Sequence, residues 1–329
     1  MKRELCFHTP LKCIAAWNSD EEKRRKSASG GIAHALAELC LADGGVFVGT
    51  RYDENLRPIV AKAEHIEELE AYKGSKYVQS VMGAEIIKDI EAELKAGRQV
   101  TFVGTPCQVA ALYSSLDEEY ENLLTIDLMC HGTCPTSYFT EEIDHLRKQY
   151  KIDLDDVRFR DNEGHSFHLT FWKDGKLVKD IPGYCEYYFA GFLYGVSMRE
   201  ICYSCKFARP ERVGDITLGD FINLGKEKPF DHKVENVSAV LLNTKKAESV
   251  WSKLLSKNTE IKGEERDYSE RLSYPYSVLK PFPKDPRRAK FMALYPKYGF
   301  VRSIRKTLRP KVWRSRFWQF LRDHNINIV

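Results

Sequence analysis

Four cysteines fall in three short blocks punctuated by glycine or turn residues: Cys107 in GTPCQ, Cys130 in MCHG, and Cys202 with Cys205 in ICYSC. Four thiolates are the donor set of a four-iron four-sulfur cluster or of a structural zinc ion. The Cys202-x-x-Cys205 spacing lets one turn chelate a metal, with Cys107 and Cys130 completing the set. Cys134 is the substitute ligand if Cys130 is structural. Cys40, on the apolar face of a predicted helix, and Cys185, in an aromatic run, read as core.

A second group of residues suits phosphate. SASGG at 27–31, with Ser29, Gly30 and Gly31, opens a predicted helix, where free N–H groups and the helix dipole favour an anion. Arg24, Arg25 and Lys26 add positive charge just upstream. A serine acting as a plain N-cap explains the same residues without a ligand. GSKYVQS at 74–80 is compact and polar around Lys76, and reads either as a ligand loop or as a solvated turn.

These residues need a scaffold, and residues 27–150 alternate between helix and strand. Ile32, Ala35, Leu36 and Leu39 have helical spacing, Gly44-Gly45 stops the helix, and VFVGTRY follows as a strand. A helix over Ile86–Leu94 then leads to the buried strand QVTFV, the GTPCQ turn, another helix, the strand LLTIDLMC, and a helix over 136–150. That order predicts an α/β fold: a mostly parallel sheet with flanking helices. Cys107 and Cys130 then lie just past the carboxyl ends of consecutive strands, the edge where open α/β sheets bind ligands.

From 151 to 182 the period changes to two. DVRFRD, HSFHLTFW and KLVKDI, separated by DNEG and KDGK, predict an antiparallel hairpin insertion in which His165 and His168 are surface or packing residues. VSAVLLNT is a last strand and a helix begins at 245. The proline-rich YPYSVLKPFPKDPRR is expected to lead away from the core into a helical basic tail. The expected divisions are a lead segment 1–26, an α/β cofactor region 27–150, a second region 151–275, and the tail 276–329.

Hydrophobic and charged fractions of 43% and 30% over 329 residues are those of a globular protein. No apolar run reaches the length of a membrane span and no secretory leader is visible, so a cytoplasmic location is expected. In a reducing compartment, nine cysteines point to metal or redox work rather than disulfides. Residues 285–329 carry twelve Lys or Arg against two acids, about +10 against about −6 for the remainder. A helix after Pro310 would gather Val312, Trp313, Phe317, Phe320 and Leu321 mainly to one side. That pattern suits an anionic membrane surface, with peripheral attachment to the inner face, or an acidic partner enzyme. No nucleic-acid motif accompanies the charge.

The blocks AAWNSDEEKRRKSASGG, KGSKYVQS, FVGTPCQVAAL, DLMCHGTCPTSYF, VRFRDNEGH, REICYSCKFARPERVGDITLGDF and VSAVLLNT, in this order, resemble the coenzyme F420 hydrogenase/dehydrogenase beta-subunit family. The resemblance spans roughly residues 13–245. It implies a flavoprotein that binds FAD and iron–sulfur clusters, passes electrons between a carrier and a substrate, and belongs with the relatives found in bacterial polysaccharide-synthesis clusters. It implies a four-iron four-sulfur cluster on Cys107, Cys130, Cys202 and Cys205. Many relatives begin with a ferredoxin-like module of CxxCxxC runs. Only Cys6 and Cys13 precede the AAWN block here, so a separate ferredoxin-like donor is expected to supply electrons for a small organic acceptor. An accessory electron-transfer subunit of a surface-polysaccharide complex is the alternative.

With flavin implied, SASGG becomes a site for the FAD pyrophosphate. In GSKYVQS, Gly74 lets backbone approach the cofactor, Ser75 and Gln79 can hydrogen-bond flavin edges, and Tyr77 lies between them. Lys76 can balance the charge of reduced flavin. Gly104, Thr105 and Gln108 can cradle the same ring. His131 can relay a proton or simply hold its loop. Asp215 and Asp220, in GDITLGDF, can take ribose hydroxyls or cap turns.

Overall fold

The computed structural model describes residues 5–160 and 167–324, so the expected DNEG turn and His165 lie outside the described residues. Strands are β1 (Lys12–Asn18), β2 (Val46–Tyr52), β3 (Pro58–Ala63), β4 (Val100–Gly104), β5 (Leu123–Leu128), β6 (Asp156–Arg158), β7 (His168–Lys173), β8 (Lys176–Pro182), β9 (Ile216–Asp220), β10 (Ser238–Leu242) and β11 (Ile261–Arg266). Helices are α1 (Glu21–Arg25), α2 (Ile32–Ala42), α3 (Ala84–Lys95), α4 (Pro106–Ser115), α5 (Thr136–Tyr150), α6 (Tyr187–Leu193), α7 (Lys245–Lys257), α8 (Tyr268–Leu272) and α9 (Arg288–Asp323).

Eight strands form one sheet in the order β11-β1-β10-β9-β5-β4-β2-β3. β1, β2, β4, β5 and β9 point one way and β3, β10 and β11 oppose them, so the centre is parallel and the flanks are antiparallel. Leu36 of α2 and Trp251 of α7 bury Ile126, Ile216 and Val240, while Leu94 of α3 and Leu112 of α4 cover Val100 and Phe102. The insertion, β6-β7-β8, forms a separate three-stranded sheet that shares a core with α5, α6 and α9. α9 is interrupted at Gly299 (φ 66°) and carries Pro296 and Pro310 within its length.

Two expectations change. The lead segment 1–26 contributes β1, an interior strand between β10 and β11, and β9 joins β5 in the same sheet, so the sheet runs across the expected division at 150. The proline-rich stretch does not leave the core: Val278 is fully buried, and the ring of Phe282 lies 3.9 Å from that of His131. An extended chain buries apolar side chains without needing a periodic pattern.

α9 is tied to the second core by charge. Arg305 donates to both carboxylate oxygens of buried Glu142 at 2.8 and 2.7 Å. Glu186, the N-cap of α6, is also buried, and burial with the nearby Glu142 charge pushes its pKa up from 4.5 to about 8. The native state therefore keeps a proton that the unfolded chain sheds, so stability falls as pH rises through that window. Glu186→Gln removes this dependence. In urea titrations from pH 4.5 to 8, the wild-type protein should lose stability relative to the variant, whereas parallel profiles would mean that Glu186 is ionised in the fold.

Candidate functional site

The loops at the carboxyl edge of the parallel strands enclose a cavity of about 1560 Å³. That exceeds the roughly 300–1,000 Å³ of a site for one drug-sized ligand, so it has room for a large cofactor together with a second molecule. Cys107 stands in the first turn of α4, whose entry is set by Pro106 and a capping box between Thr105 and Gln108. Cys130 follows β5, Cys202 sits in the 3-10 turn Glu200–Ser204, and Cys205 comes just after it. All four line the cavity.

Burial raises the pKa of Cys130, and negative charge on Cys107, Cys202 and Cys205 raises it further. Cys205 is raised by burial and by Cys107 and Cys202. Among the described residues, no three His, Cys, Asp or Glu side chains close to metal-holding geometry. The donor set nevertheless fits a metal group: four sulfur donors from three segments face one space, the number and type that a four-iron four-sulfur cluster or a tetrahedral zinc takes. Cys134 is fully buried, 3.3 Å from Ser197 Oγ, and does not line the cavity.

SASGG divides. Ser29 and Gly31 line the cavity, and the buried Ser29 hydroxyl has no hydrogen-bond partner among the described residues. Gly31, at φ 85°, caps α2 without a side-chain bond, which leaves that helix end open to an anion. Gly30 does not line the cavity: a Cβ there would stand 2.4 Å from Ala16 O and 2.9 Å from Ser238 N. It lets the α2 entry close against β1 and β10. Arg24 donates to Asn18 O, while Arg25 and Lys26 pair with Glu21 and Glu22, so none of the three faces the cavity.

GSKYVQS runs beside the cysteine loop, because Val78 pairs with Cys134 and Gln79 N donates to Cys134 O at 2.9 Å. Gly74 and Ser75 have positive φ, of 87° and 46°. Lys76 Nζ donates to Lys73 O at 2.8 Å and Ala71 O at 3.3 Å, and desolvation lowers its pKa to about 8. Tyr77 stacks on Phe192 at 4.7 Å. Gln108 spends its amide within the protein: Nε2 donates to Ser80 Oγ at 2.8 Å, and Oε1 accepts from Thr105 N at 3.0 Å. A Cβ on Gly104 would meet the Phe102 ring at 2.8 Å. Gly74, Ser75, Lys76, Tyr77, Gln79, Gly104, Thr105 and Gln108 all line the cavity.

His131 also lines it, between Phe282 and Phe192, and desolvation lowers its pKa to about 4. The expected neutral-range titration is therefore not what its surroundings provide; the ring is neutral near pH 7. Asp220 reaches the cavity and is held bidentately by Arg160 at 2.8 and 3.2 Å. Asp215 does not. It is buried, with Oδ2 accepting from Thr125 N and Oγ1 at 3.0 Å and Oδ1 accepting from Thr244 Oγ1 at 2.9 Å, and so joins β5 to the start of α7.

Sequence reading missed two buried arginines that line the cavity. Arg160 is 4% exposed and its Nε has no partner among the described residues. Arg271 is 2% exposed and donates only to the Asp220 and Tyr274 carbonyls, with no acid partner among the described residues. A buried guanidinium without a carboxylate is costly, so its place on the cavity wall favours an anionic ligand. Arg160 could have been found in the VRFRD block; Arg271 carries no motif.

The fold and this cavity define an α/β protein with a cationic, thiol-lined chamber at its sheet edge. Residues 13–88 match the family model for the coenzyme F420 hydrogenase/dehydrogenase beta subunit N-terminus, and residues 97–267 match that for its C terminus. The chain belongs to this family of oxidoreductases. It shares its fold with a chain of the F420-reducing NiFe hydrogenase complex from Methanosarcina barkeri, at 16% identity and a TM-score of 0.52 over 96% of this chain and 94% of that one. No curated protein sequence matches it. No helix among the described residues is long and apolar enough to cross a membrane.

Proposed function

We propose that this chain is a cytoplasmic FAD- and iron–sulfur-dependent oxidoreductase that takes electrons from a ferredoxin-like donor and reduces a small organic acceptor. The observation carrying this reading is that four cysteines from three separate segments share one chamber with the open end of α2 and the 74–80 segment. When bound, a four-iron four-sulfur cluster would supply single-electron relay and FAD would supply exchange between one- and two-electron chemistry. Cys107, Cys130, Cys202 and Cys205 would hold the cluster. Ser29 Oγ and the N–H groups opening α2 would take the FAD diphosphate. Gly74, Ser75, Tyr77, Gln79, Gly104 and Thr105 would shape the flavin site, with Gln108 fixing the loop between the 74–80 segment and Cys107.

Lys76 would place a cation beside the flavin, and the Arg160–Asp220 pair with Arg271 would orient an acidic group. His131, neutral as placed, would accept a hydrogen bond or a proton rather than act as the acid. Protein purified without oxygen should hold about four iron atoms and one FAD per chain. Zinc without flavin, or failure of anaerobic reconstitution, would overturn the reading. The likeness to a chain of a multi-subunit hydrogenase complex favours one second reading, an electron-transfer subunit working within an assembly. Bound cofactors without turnover alone, and activity restored by a partner, would distinguish it.

A further inference from the structure

The outer face of α9 has the chemistry of a surface that meets lipid. The helix is held to the body by Phe300, Ile304, Leu308, Val312 and Leu321, all buried. The apolar residues expected on one side are therefore divided: Val312 and Leu321 point inward, while Trp313, Phe317 and Phe320 are 59%, 53% and 52% exposed. The three outward rings have spacings of four and three residues, which places them on one stripe of the helix. Exposed Lys306, Arg309 and Arg314 lie along or beside that stripe and have no acid partner among the described residues, Lys306 resting over the Tyr298 ring and Arg309 over Trp313. Trp318 and Arg322, on the same last turns, line the cavity.

We propose that this face seats the protein on an anionic lipid bilayer, with Trp313, Phe317 and Phe320 entering the headgroup region. The basic residues would lie against lipid phosphates. Charge complementarity favours lipid as the occupant: the cations are of one sign, have no acid partner among the described residues, and lie along and on both sides of the stripe, where a plane of anionic headgroups meets them together. Packing of the inward face keeps the rings displayed before binding, so little ordering is needed. The seat adjoins the cavity wall formed by Trp318 and Arg322, which brings the redox chamber beside the lipid surface. The inference does not depend on the identity of the cofactors.

Flotation of the full chain with phosphatidylglycerol-containing vesicles and with pure phosphatidylcholine vesicles tests it. The protein should float with the anionic vesicles only, its tryptophan emission should shift to the blue, and about 0.15 M salt should weaken binding. Lys306→Glu with Arg309→Glu should lower affinity at least tenfold, as each lost charge costs about fivefold. Trp313→Ser with Phe317→Ser and Phe320→Ser should abolish the blue shift. Both sets lie on exposed positions, and unchanged circular dichroism and melting would show that the fold is intact. No flotation at low salt, or equal flotation by the variants, would overturn the proposal. So would absence of lipid binding together with a purified acidic protein docking on this face.

Discussion

Cys130→Ser protein, purified anaerobically beside the wild type, is expected to lose most of its iron and its long-wavelength absorbance while retaining flavin. Segments 27–31 and 74–80, proposed to hold the flavin, are untouched by the change. Acceptor reduction should fall beyond the roughly 100-fold that loss of an outer-shell partner alone costs, because the change removes a proposed ligand itself. Cys130 is the thiol to test because burial and three neighbouring thiols all resist its ionisation. A positive group in the cavity would oppose that far more than the Gly132 backbone hydrogen bond does, so loss of the thiol should be felt in metal content before stability. Cys134→Ser is the control. Cys134 stands against Ser197 below the cavity and should leave iron unchanged. The reverse pattern, with Cys134→Ser losing iron and Cys130→Ser keeping it, would transfer the ligand role to Cys134.

Asp127→Ala should destabilise the fold by about 3–5 kcal/mol, the usual cost of leaving one partner of a buried ion pair alone. Asp127 and Arg212 are 0% and 1% exposed, with Nη2 to Oδ1 at 3.0 Å. The second carboxylate oxygen accepts from Val213 N at 3.1 Å and Gly214 N at 3.0 Å, so the substitution also strands two backbone donors. The bond joins the end of β5, just before Cys130, to the segment that runs from Cys205 into β9. Iron retention should therefore decline with stability. A urea midpoint matching the wild type would show that Arg212 is satisfied by its carbonyl contacts. Replacing both residues by apolar ones should recover much of the loss.

Local periodicity made the centre of the molecule legible. α2, α3 and α4 and the strands they separate follow from apolar spacing and glycine stops, and the positions of Cys107 and Cys130 follow from the ends of β4 and β5. What stayed hidden depends on distant partners. KCIAAWN is a short apolar run whose character as β1 comes from Ser238–Leu242 on one side and Ile261–Arg266 on the other. Gly30 looks like its neighbours in SASGG, and only the closeness of Ala16 O shows that its requirement is packing. Asp215 and Asp220 occupy similar Gly-Asp steps, yet register places one at a helix cap inside the fold and the other at the cavity. Arg271 bears no pattern at all; its meaning comes from burial without an acid.

The position of β1 has a consequence for the order in which the molecule is built. Its two hydrogen-bonded partners, Ser238–Leu242 and Ile261–Arg266, are translated long after it. Cys13 through Asn18 must therefore wait, unpaired, while most of the chain is translated. Closing so long a loop before any contact rewards it makes late, slow folding the expectation for this half of the sheet. The thiol chamber, whose walls include β9 and the segment before it, can form only in that same late stage. Insertion of the proposed cofactors should accordingly follow translation of β9 and the strands beyond it rather than accompany synthesis of the earlier half.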